Sequence, residues 1–401
     1  MPVTILEGAR AVGKTALVRN LVEQGHYDGY ENLADPQTRA IALADLPGWV
    51  ASLPRSAVID EAQLVPDLPL YLKFVVDEPG SGRRFLLTGS AAIGRRGLGG
   101  SDPLTGRSIR HQLRPLTAAE LAGNPARTYD LVSDLFSGRI RDAAIGDSPP
   151  IETVVERGGF APVALRNLPP DLADAWAYAT VVGLLTDDVL PDERFDGGVA
   201  LRVLDGCLRN PSGILNSASL GQRLGLDPRT VDRYLDVLER RFLLDFLPNL
   251  ATSAVRQTRA RSKVHALDSV FSIESIRRGN PATFASGEMR GPLLESWVVS
   301  QVLPAVDLAP RPVNAFYWRD AKQRKQGSNE VDLVLVDSED RAVGLEVKAS
   351  TTVGPSDAAG LVELDQRRTL AAGYVLYLGS KTIRLADRIY ALPVSALWTL
   401  S

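Results

Sequence analysis

Residues 8 to 15 carry the spacing of a phosphate-binding loop, with four residues between Gly8 and the triplet Gly13, Lys14 and Thr15. An apolar run precedes the segment and a helical pattern follows it, so the loop joins a strand to a helix. Such a loop bends around phosphate oxygens with its N–H groups pointing inward, and the helix N-terminus adds partial positive charge. We therefore expect Lys14 to reach the β- and γ-phosphates of ATP and the Thr15 hydroxyl to ligate Mg²⁺. The candidate nucleotide-binding residues are Gly8, Ala9, Arg10, Ala11, Val12, Gly13, Lys14, Thr15 and Ala16.

A second apolar run, residues 57–59, ends in two adjacent carboxylates, Asp60 and Glu61. We expect Asp60 to complete the Mg²⁺ shell and Glu61 to polarise the attacking water. The two-acid form favours ATP hydrolysis over transfer to another substrate. A small-molecule kinase is the weaker alternative, because no segment suggests a lid over an acceptor.

Two further polar residues follow the next strand-like run, residues 84–87. Ser90 could sense the γ-phosphate between the two motifs, or it could belong to a plain turn at the strand end. Arg107 could bring a guanidinium to the transition-state charge, or it could form a surface salt bridge. If Arg107 acts on the nucleotide of a neighbouring subunit, the protein is a homo-oligomer.

The middle of the chain is basic: residues 202–265 contain 11 Lys and Arg against 6 Asp and Glu, a net charge of +5 in a chain of net charge −3. Residues 219–241 predict a helix, a tight turn and a second helix, and residues 242–247 follow as a candidate wing strand. One face of the second helix is predicted to be buried through Val231, Tyr234, Leu235 and Leu238. Its candidate DNA-binding residues are Arg229, Thr230, Arg233 and Arg240.

The alternative for this middle module is a winged helix that only joins domains or subunits. Asp232 and Asp236 lie on the same helix and would oppose DNA phosphates, which favours this alternative. The polar segment that follows, residues 251–263, is predicted to be an exposed basic loop that ends in Lys263.

The C-terminal part contains two strand-like runs that carry carboxylates, residues 330–336 and 342–348, with a polar turn between them. In a hairpin centred near residue 339, Asp332 lies opposite Glu346, while Glu346 and Lys348 share a face. Glu295, on a helix predicted from residue 292 to 303, could add a third carboxylate. Carboxylates and a lysine are what Mg²⁺-dependent phosphodiester cleavage requires, so these four residues form a candidate nuclease site. The alternative is an acid–lysine network on a fold without catalysis.

These motifs together resemble one family. Residues 8–15, 58–63, 85–90, 104–107 and 113–121 follow one another as in bacterial and archaeal AAA+ ATPases that carry a C-terminal domain of unknown function. The C-terminal carboxylates resemble the core of PD-(D/E)xK nucleases, with Asp332, Glu346 and Lys348 at its motif positions and Glu295 as its helical acid. Members usually have a segment before the first strand that helps to enclose the adenine. Here the strand begins at Val3, so we expect a misplaced or truncated start, or a loosely held base.

The resemblance implies an α/β protein with a parallel-sheet P-loop (AAA+) core, a helical region, a winged helix and a nuclease-like α/β domain. We assign these to residues 1–125, 126–198, 199–263 and 264–401. The longest apolar run, residues 177–185, is too short to span a bilayer, and no secretory signal is seen, so we expect a cytoplasmic protein. One cysteine, Cys207, and three dispersed histidines argue against a disulfide or a histidine-rich metal site.

Two functions follow from the residues. The first is an ATPase that uses ATP and Mg²⁺ to control a nucleic-acid-directed C-terminal domain, for which nucleolytic activity is a candidate. The second is an ATP-gated switch or scaffold that binds a protein partner, with an inactive nuclease-like domain.

Overall fold

The chain forms two compact units in the computed structural model. The described residues are 1–90, 93, 102–142, 149–186, 195–250, 261–319 and 330–399. The first unit comprises residues 1–114 together with 240–242, and the second comprises 115–239 together with 243–401. The predicted ATPase core, residues 1–125, thus contains residues 1–114 of the first unit, while its last residues, 115–125, belong to the second unit. The other three predicted segments belong to the second unit, apart from residues 240–242.

The first unit is built on a five-stranded parallel sheet. Its strands are β1 (Val3–Glu7), β2 (Gly29–Asn32), β3 (Ser56–Asp60), β4 (Arg84–Gly89) and β5 (Ser108–Gln112). Its helices are α1 (Lys14–Glu23), α2 (Pro36–Ala44), α3 (Leu46–Ser52) and α4 (Leu68–Asp77). The strand order is β2-β3-β4-β1-β5, and all neighbouring strands are parallel. The central strands are almost wholly apolar, and Ile5, Ile59 and Leu87 are completely buried, as expected for a sheet covered on both faces.

The carboxyl edge of this sheet gathers the candidate nucleotide residues. Strand β4 lies between β1 and β3, and its Gly89 is level with Glu7 of β1. Because parallel strands end at the same edge, the loop after β1, the acids after β3 and the turn after β4 lie side by side.

The second unit begins with helices and continues into a small antiparallel sheet. The helices are α5 (Ala118–Leu121), α6 (Pro125–Ser137), α7 (Ile151–Arg157), α8 (Ala161–Ala164), α9 (Pro170–Thr186), α10 (Gly197–Leu208), α11 (Ser217–Leu224) and α12 (Pro228–Arg240). Strands β6 (Leu244–Leu247) and β7 (Lys263–Ala266) then pair antiparallel, and Ile214 makes an isolated antiparallel bridge to Lys263.

A second, six-stranded sheet forms the C-terminal part. The remaining helices are α13 (Ser269–Gly279), α14 (Pro281–Ser286), α15 (Arg290–Asp307) and α16 (Ala359–Arg367). The strands are β8 (Val313–Arg319), β9 (Glu330–Asp337), β10 (Ala342–Lys348), β11 (Leu370–Tyr377), β12 (Ile383–Ala386) and β13 (Ile389–Pro393). Their order is β12-β13-β11-β10-β9-β8, with parallel pairing where β11 meets β10 and β13.

Helices cover both faces of the six-stranded sheet. On one face Leu333 and Leu335 of β9 pack in a core with Trp297 of α15, and the Tyr374 hydroxyl donates to the Leu135 carbonyl of α6 at 2.8 Å. On the other face Val334 packs in a core with Leu361 of α16. The alternation along β9 is the period of two that places successive side chains on opposite faces. No helix among the described residues combines the length and the apolar character needed to cross a membrane.

The hairpin of β6 and β7 is joined to the six-stranded sheet at β8. Tyr317 donates its N–H to the Pro248 carbonyl at 3.0 Å and accepts the N–H of Leu250 at 2.8 Å. Its hydroxyl donates to the Arg261 carbonyl at 2.6 Å. These bonds hold the end of β6 and the start of β7 against one residue of β8, and they bring Lys263 towards the sheet.

The close approach of α16 to β9 yields a prediction about stability. A Cβ added at Gly360 would lie 2.1 Å from the Glu330 carbonyl oxygen, whereas a Cβ at Gly354 would meet no heavy atom within 4 Å. Gly360→Ala must therefore displace backbone, and we expect it to lower the free energy of unfolding by about 2 kcal/mol. Gly354→Ala is the matched control and should leave the thermal unfolding midpoint within about a degree of the original. Equal midpoints for the two variants would contradict this packing.

Candidate functional site

The loop after β1 wraps closely around its own lysine. Gly8 lies so close to β5 that an added Cβ would be 2.2 Å from the Leu113 carbonyl oxygen, and Gly13 adopts a left-handed φ of 104° just before α1. Both positions therefore require glycine. The Lys14 ammonium is buried and donates to the carbonyls of Gly8 and Ala9, each at 2.9 Å. The structure thus brings Lys14 to the inside of the predicted phosphate loop.

Asp60 is the centre of a hydrogen-bonded group at the carboxyl edge. It is completely buried, and its Oδ2 accepts from the Thr15 hydroxyl at 2.8 Å and from the Tyr30 hydroxyl at 2.7 Å. The Thr88 hydroxyl donates to its Oδ1. The two predicted Mg²⁺ ligands, Thr15 and Asp60, are therefore in direct contact. A hydroxyl and a carboxylate are the hard oxygen donors that Mg²⁺ prefers, so this pair suits that ion.

Tyr30 and Thr88 were not predicted as site residues from the sequence. Thr88 belongs to a motif that did suggest a site, but the prediction fell on Ser90. The β3–β4 register pairs Ile59 with Leu87, which makes Thr88 the neighbour of Asp60. Burial and the hydrogen bond to Asp60 raise the pKa of Tyr30, while Arg19, whose guanidinium lies 5.1 Å from the ring centre, opposes the rise. The Tyr30 hydroxyl therefore stays protonated and donates to Asp60 at neutral pH.

Glu61 is held by a separate set of contacts. It has a left-handed φ of 57°, and its N–H donates to the Thr88 hydroxyl at 3.2 Å. Its Oε2 accepts from the Ser90 hydroxyl at 3.2 Å and from the side-chain amide of Gln63. Ser90 thus lies beside the predicted water-polarising carboxylate. Gln63, which the sequence did not single out, fixes the same oxygen.

The structure places Arg107 away from the phosphate-binding loop of its own chain. Its carbonyl accepts from the N–H of Val3, at the amino end of β1, and its guanidinium pairs with Asp77 at 2.6 and 2.8 Å. Strand β1 separates this amino edge from the loop by five residues, about 16 Å. Arg107 therefore lies at the opposite edge of the sheet, in the salt bridge that was the alternative.

In the second unit, the candidate nuclease residues surround a lysine that was predicted to be exposed. Lys263 is only 3% exposed, and its ammonium lies 2.6 Å from Glu295 Oε1 and 2.9 Å from Asp332 Oδ1. Glu330 makes a third ion pair with the same ammonium. Lys263 is thus part of β7 and of a buried charge cluster, while residues 251–260 of the predicted basic loop lie outside the described residues.

The hairpin of β9 and β10 has the predicted register. Leu333 pairs with Leu345, and continuing this register places Asp332 opposite Glu346. Asp332 Oδ2 accepts from the N–H of Val347 at 2.9 Å, and Lys348 pairs with Glu346 at 2.7 Å. The four candidate nuclease residues therefore lie in one cluster, in which Glu330 and Lys263 were not anticipated.

The charge cluster has strongly perturbed ionisation. Burial and the nearby Asp332 raise the pKa of Glu295 and of Glu346, while Lys263 and Lys348 respectively act in the opposite direction. Burial alone would lower the pKa of Lys263, but its three carboxylate partners outweigh burial and hold that pKa well above its ordinary value. In the described part of the chain, no group of three or more His, Cys, Asp or Glu side chains could hold a metal ion. The use of Asp332 and Glu346 as metal ligands therefore stays a prediction.

The amphipathic helix α12 has the predicted buried face. Val231, Tyr234, Leu235 and Leu238 are all buried. Of the candidate DNA-binding residues, Arg229 and Arg233 are exposed, whereas Thr230 and Arg240 are partly buried. Asp232, also exposed, accepts from the Ser217 hydroxyl at 2.5 Å.

Three segments of the chain match known families. Residues 1–122 match a family described as an AAA domain. The match supports an AAA+ ATPase family. Residues 149–273 and 290–397 match two families described as domains of unknown function, DUF8612 and DUF4143. The AAA match covers the loop 8–15, Asp60 and Glu61, and it supports ATP binding and hydrolysis by this part of the chain.

Two relatives match almost the whole chain at low sequence identity, and the solved structures match at lower identity. The Uncharacterized protein Mb2031c of Mycobacterium bovis and the Uncharacterized protein Rv2008c of Mycobacterium tuberculosis are each 26% identical over 99% of this chain and 81% of their own length. The Thermotoga maritima RuvB Holliday junction branch migration motor is 19% identical over 66% of this chain and 84% of its own, with a TM-score of 0.30. The Aeropyrum pernix ORC1 protein in complex with DNA is 15% identical over 71% and 88%, with a TM-score of 0.24.

The contacts of Asp60 lead to a prediction for Thr88. Thr88→Val keeps the side-chain shape but removes the hydroxyl that orients both Asp60 and the backbone of Glu61. We expect the Mg²⁺ concentration for half-maximal ATP hydrolysis to rise about tenfold, as for other changes to the partners of a metal ligand. Thr4→Val, on β1 away from the carboxyl edge, is the control and should behave as the unchanged protein. An unchanged Mg²⁺ requirement in Thr88→Val would show that the hydroxyl does not position Asp60.

Proposed function

We propose that the protein binds ATP with Mg²⁺ at the loop 8–15 and hydrolyses it. The observation that carries this proposal is the direct contact of Thr15 with Asp60, beside a lysine enclosed by the loop. The match of residues 1–122 to an AAA domain supports the same activity.

The roles of the side chains follow from their positions. Lys14 would exchange the loop carbonyls for phosphate oxygens, which are stronger acceptors because they are charged. Thr15 and Asp60 would hold Mg²⁺, which supplies charge neutralisation at the phosphates when bound. Glu61 would accept the hydrogen bond of the attacking water, and Ser90 and Gln63 would set the direction of its carboxylate.

We further infer that residues 197–266 form a winged helix. Helices α10, α11 and α12 are followed by the hairpin of β6 and β7, and Ile214 makes an isolated bridge to Lys263 of β7. In this arrangement α12 is the recognition helix, and its exposed Arg229 and Arg233 are available to phosphates or base edges. Nucleic acid is therefore the first candidate partner.

The second candidate is an ATP-gated switch that binds a protein and does not cleave DNA. The observation that favours it is the Lys263 ammonium among the carboxylates that a nuclease would use for Mg²⁺. Either function is compatible with a homo-oligomer. Arg107 lies at the amino edge of the sheet, so it could act only on the nucleotide of another subunit.

The nucleotide site is tested by two variants. Lys14→Ala removes the phosphate-binding ammonium and should abolish detectable ATP binding in calorimetry. Glu61→Gln should keep ATP binding and lower the rate of hydrolysis about 100-fold or more, because it removes the carboxylate that polarises water. Lys73→Ala and Glu23→Gln make the same exchanges away from the loop and should hydrolyse ATP normally. Normal hydrolysis by either site variant would refute the assignment.

The partner is tested with labelled DNA. If α12 is the recognition helix, Arg233→Glu should weaken DNA binding at least about fivefold at constant salt. Arg202→Glu, an equal charge reversal at an exposed position of α10, should weaken it much less. Equal losses in both variants would indicate attraction to net charge and no specific role for α12.

The same DNA, with Mg²⁺ or Mn²⁺ and with or without ATP, distinguishes the two candidate functions. We expect no cleavage. Cleavage that disappears in Asp332→Ala would establish the nucleolytic alternative.

A further inference from the structure

The ammonium of Lys263 occupies the centre of a carboxylate group that belongs to a different part of the fold. Lys263 comes from β7, whereas Glu295 lies on α15 and Glu330 and Asp332 lie on β9. All three carboxylates pair with Lys263 Nζ. Arg319 adds a longer contact, 3.7 Å from Glu330. The ammonium is therefore the common partner of three acids from two elements.

The other lysine of the cluster is engaged elsewhere. Lys348 pairs with Glu346 Oε1 at 2.7 Å, at the end of β10. The second oxygen of that carboxylate, Oε2, is buried and has no hydrogen-bond partner in the described part of the chain. A bound cation would satisfy this buried oxygen. The Lys263 ammonium, however, already occupies the position next to Asp332 where such a cation would bind.

An ammonium and a divalent cation cannot share this position. Mg²⁺ requires oxygen ligands at about 2.1 Å in octahedral geometry, and it would lie within a few ångströms of the Lys263 charge. The repulsion between two cations in a buried environment is large because little water screens it. The residues present therefore do not suit a divalent metal while β7 is in place.

We propose that Lys263 is a built-in cation that replaces a divalent metal and closes the carboxylate cluster of the C-terminal sheet. The replacement is made by a strand of the middle module, so the same contact attaches the β6–β7 hairpin to the sheet. The three carboxylates do not hold a metal ion in their present arrangement around the ammonium. Once the ammonium is removed, Asp332, Glu295 and Glu330 can close around Mn²⁺ or Mg²⁺ instead. This inference concerns the second unit and does not depend on ATP hydrolysis.

The test measures Mn²⁺ binding to the full chain without nucleotide, by the loss of the free Mn²⁺ signal in electron paramagnetic resonance. Lys263→Met keeps the length of the side chain and removes its charge, and we expect it to bind one Mn²⁺ at least about tenfold more tightly than the unchanged protein. Lys348→Met is the matched control and should show no gain. Adding Asp332→Asn to Lys263→Met should abolish the gain.

Two results would overturn the proposal. One is a Mn²⁺ site in the unchanged protein that disappears in Asp332→Asn, because Lys263 would then not exclude the metal. The other is a folded Lys263→Met variant, with an unchanged far-ultraviolet spectrum, that binds Mn²⁺ no better than the unchanged protein.

Loss of the Lys263 ammonium, which pairs with three carboxylates, could also unfold the variant, so a second variant is included. Lys263→Met combined with Glu295→Gln leaves two buried acids and a smaller uncompensated charge. We expect it to gain Mn²⁺ affinity and to show a rise in thermal unfolding midpoint with Mn²⁺ that the unchanged protein does not show. If neither variant responds to Mn²⁺ in binding or in unfolding, the proposal is wrong. Failure of the Lys14 and Glu61 predictions would leave these results unaffected.

Discussion

The neutralisation of buried negative charge organises the second unit. Glu295, Glu330 and Asp332 approach one another at the end of the six-stranded sheet, and their mutual repulsion in a poorly solvated site would cost several kcal/mol without a cation. Lys263 meets that requirement from β7. The position of Lys263 in turn depends on the bonds of Tyr317 to the end of β6 and the start of β7. The packing of the middle module against the sheet is thus tied to an electrostatic condition in addition to the burial of apolar surface.

The first unit shows the same dependence on polar contacts in a different setting. The parallel order of its strands brings several strand ends to one edge, and this alone places Lys14, Asp60 and Ser90 near one another. Hydrogen bonds then determine the direction of each group. Asp60 receives three hydroxyl donors, and Glu61 is held by two side chains and one backbone bond. Because these bonds fix the direction of Asp60 and Glu61, binding of Mg²⁺ and phosphate requires little reorganisation of the two carboxylates.

Much of this arrangement could be predicted because it depends on local spacing. The loop 8–15 and the acids after β3 follow from short motifs, the buried face of α12 from a helical period, and the pairing of Asp332 with Glu346 from the position of a turn. Element boundaries are less predictable: α16 ends at Arg367, and Leu370 already begins β11. Apolar residues there satisfy a helix and a buried strand equally well.

The rest depends on contacts between residues distant in the chain. Tyr30 contacts Asp60 only because β2 is the neighbour of β3. Thr88 contacts Asp60 only because β4 lies on the other side of β3. Lys263 follows Arg256, Arg259 and Arg261. The segment that contains it therefore has the composition of an exposed segment. Nothing local reveals that its target carboxylates lie 32 to 69 residues further along. The position of Arg107 was likewise not evident from the sequence, since the edge of the sheet on which a residue lies depends on strand direction.

The position of Lys263 in the chain also determines where the protein can be truncated and which of its segments must change together in evolution. The family match that contains Lys263 ends at residue 273, and the one that contains the three carboxylates begins at 290. A fragment that begins after residue 263 would retain the acids and lose their counterion. The two segments therefore form one electrostatic unit although they match separate families. Exchange of either segment between homologues would preserve the fold only if the charges on both sides changed together.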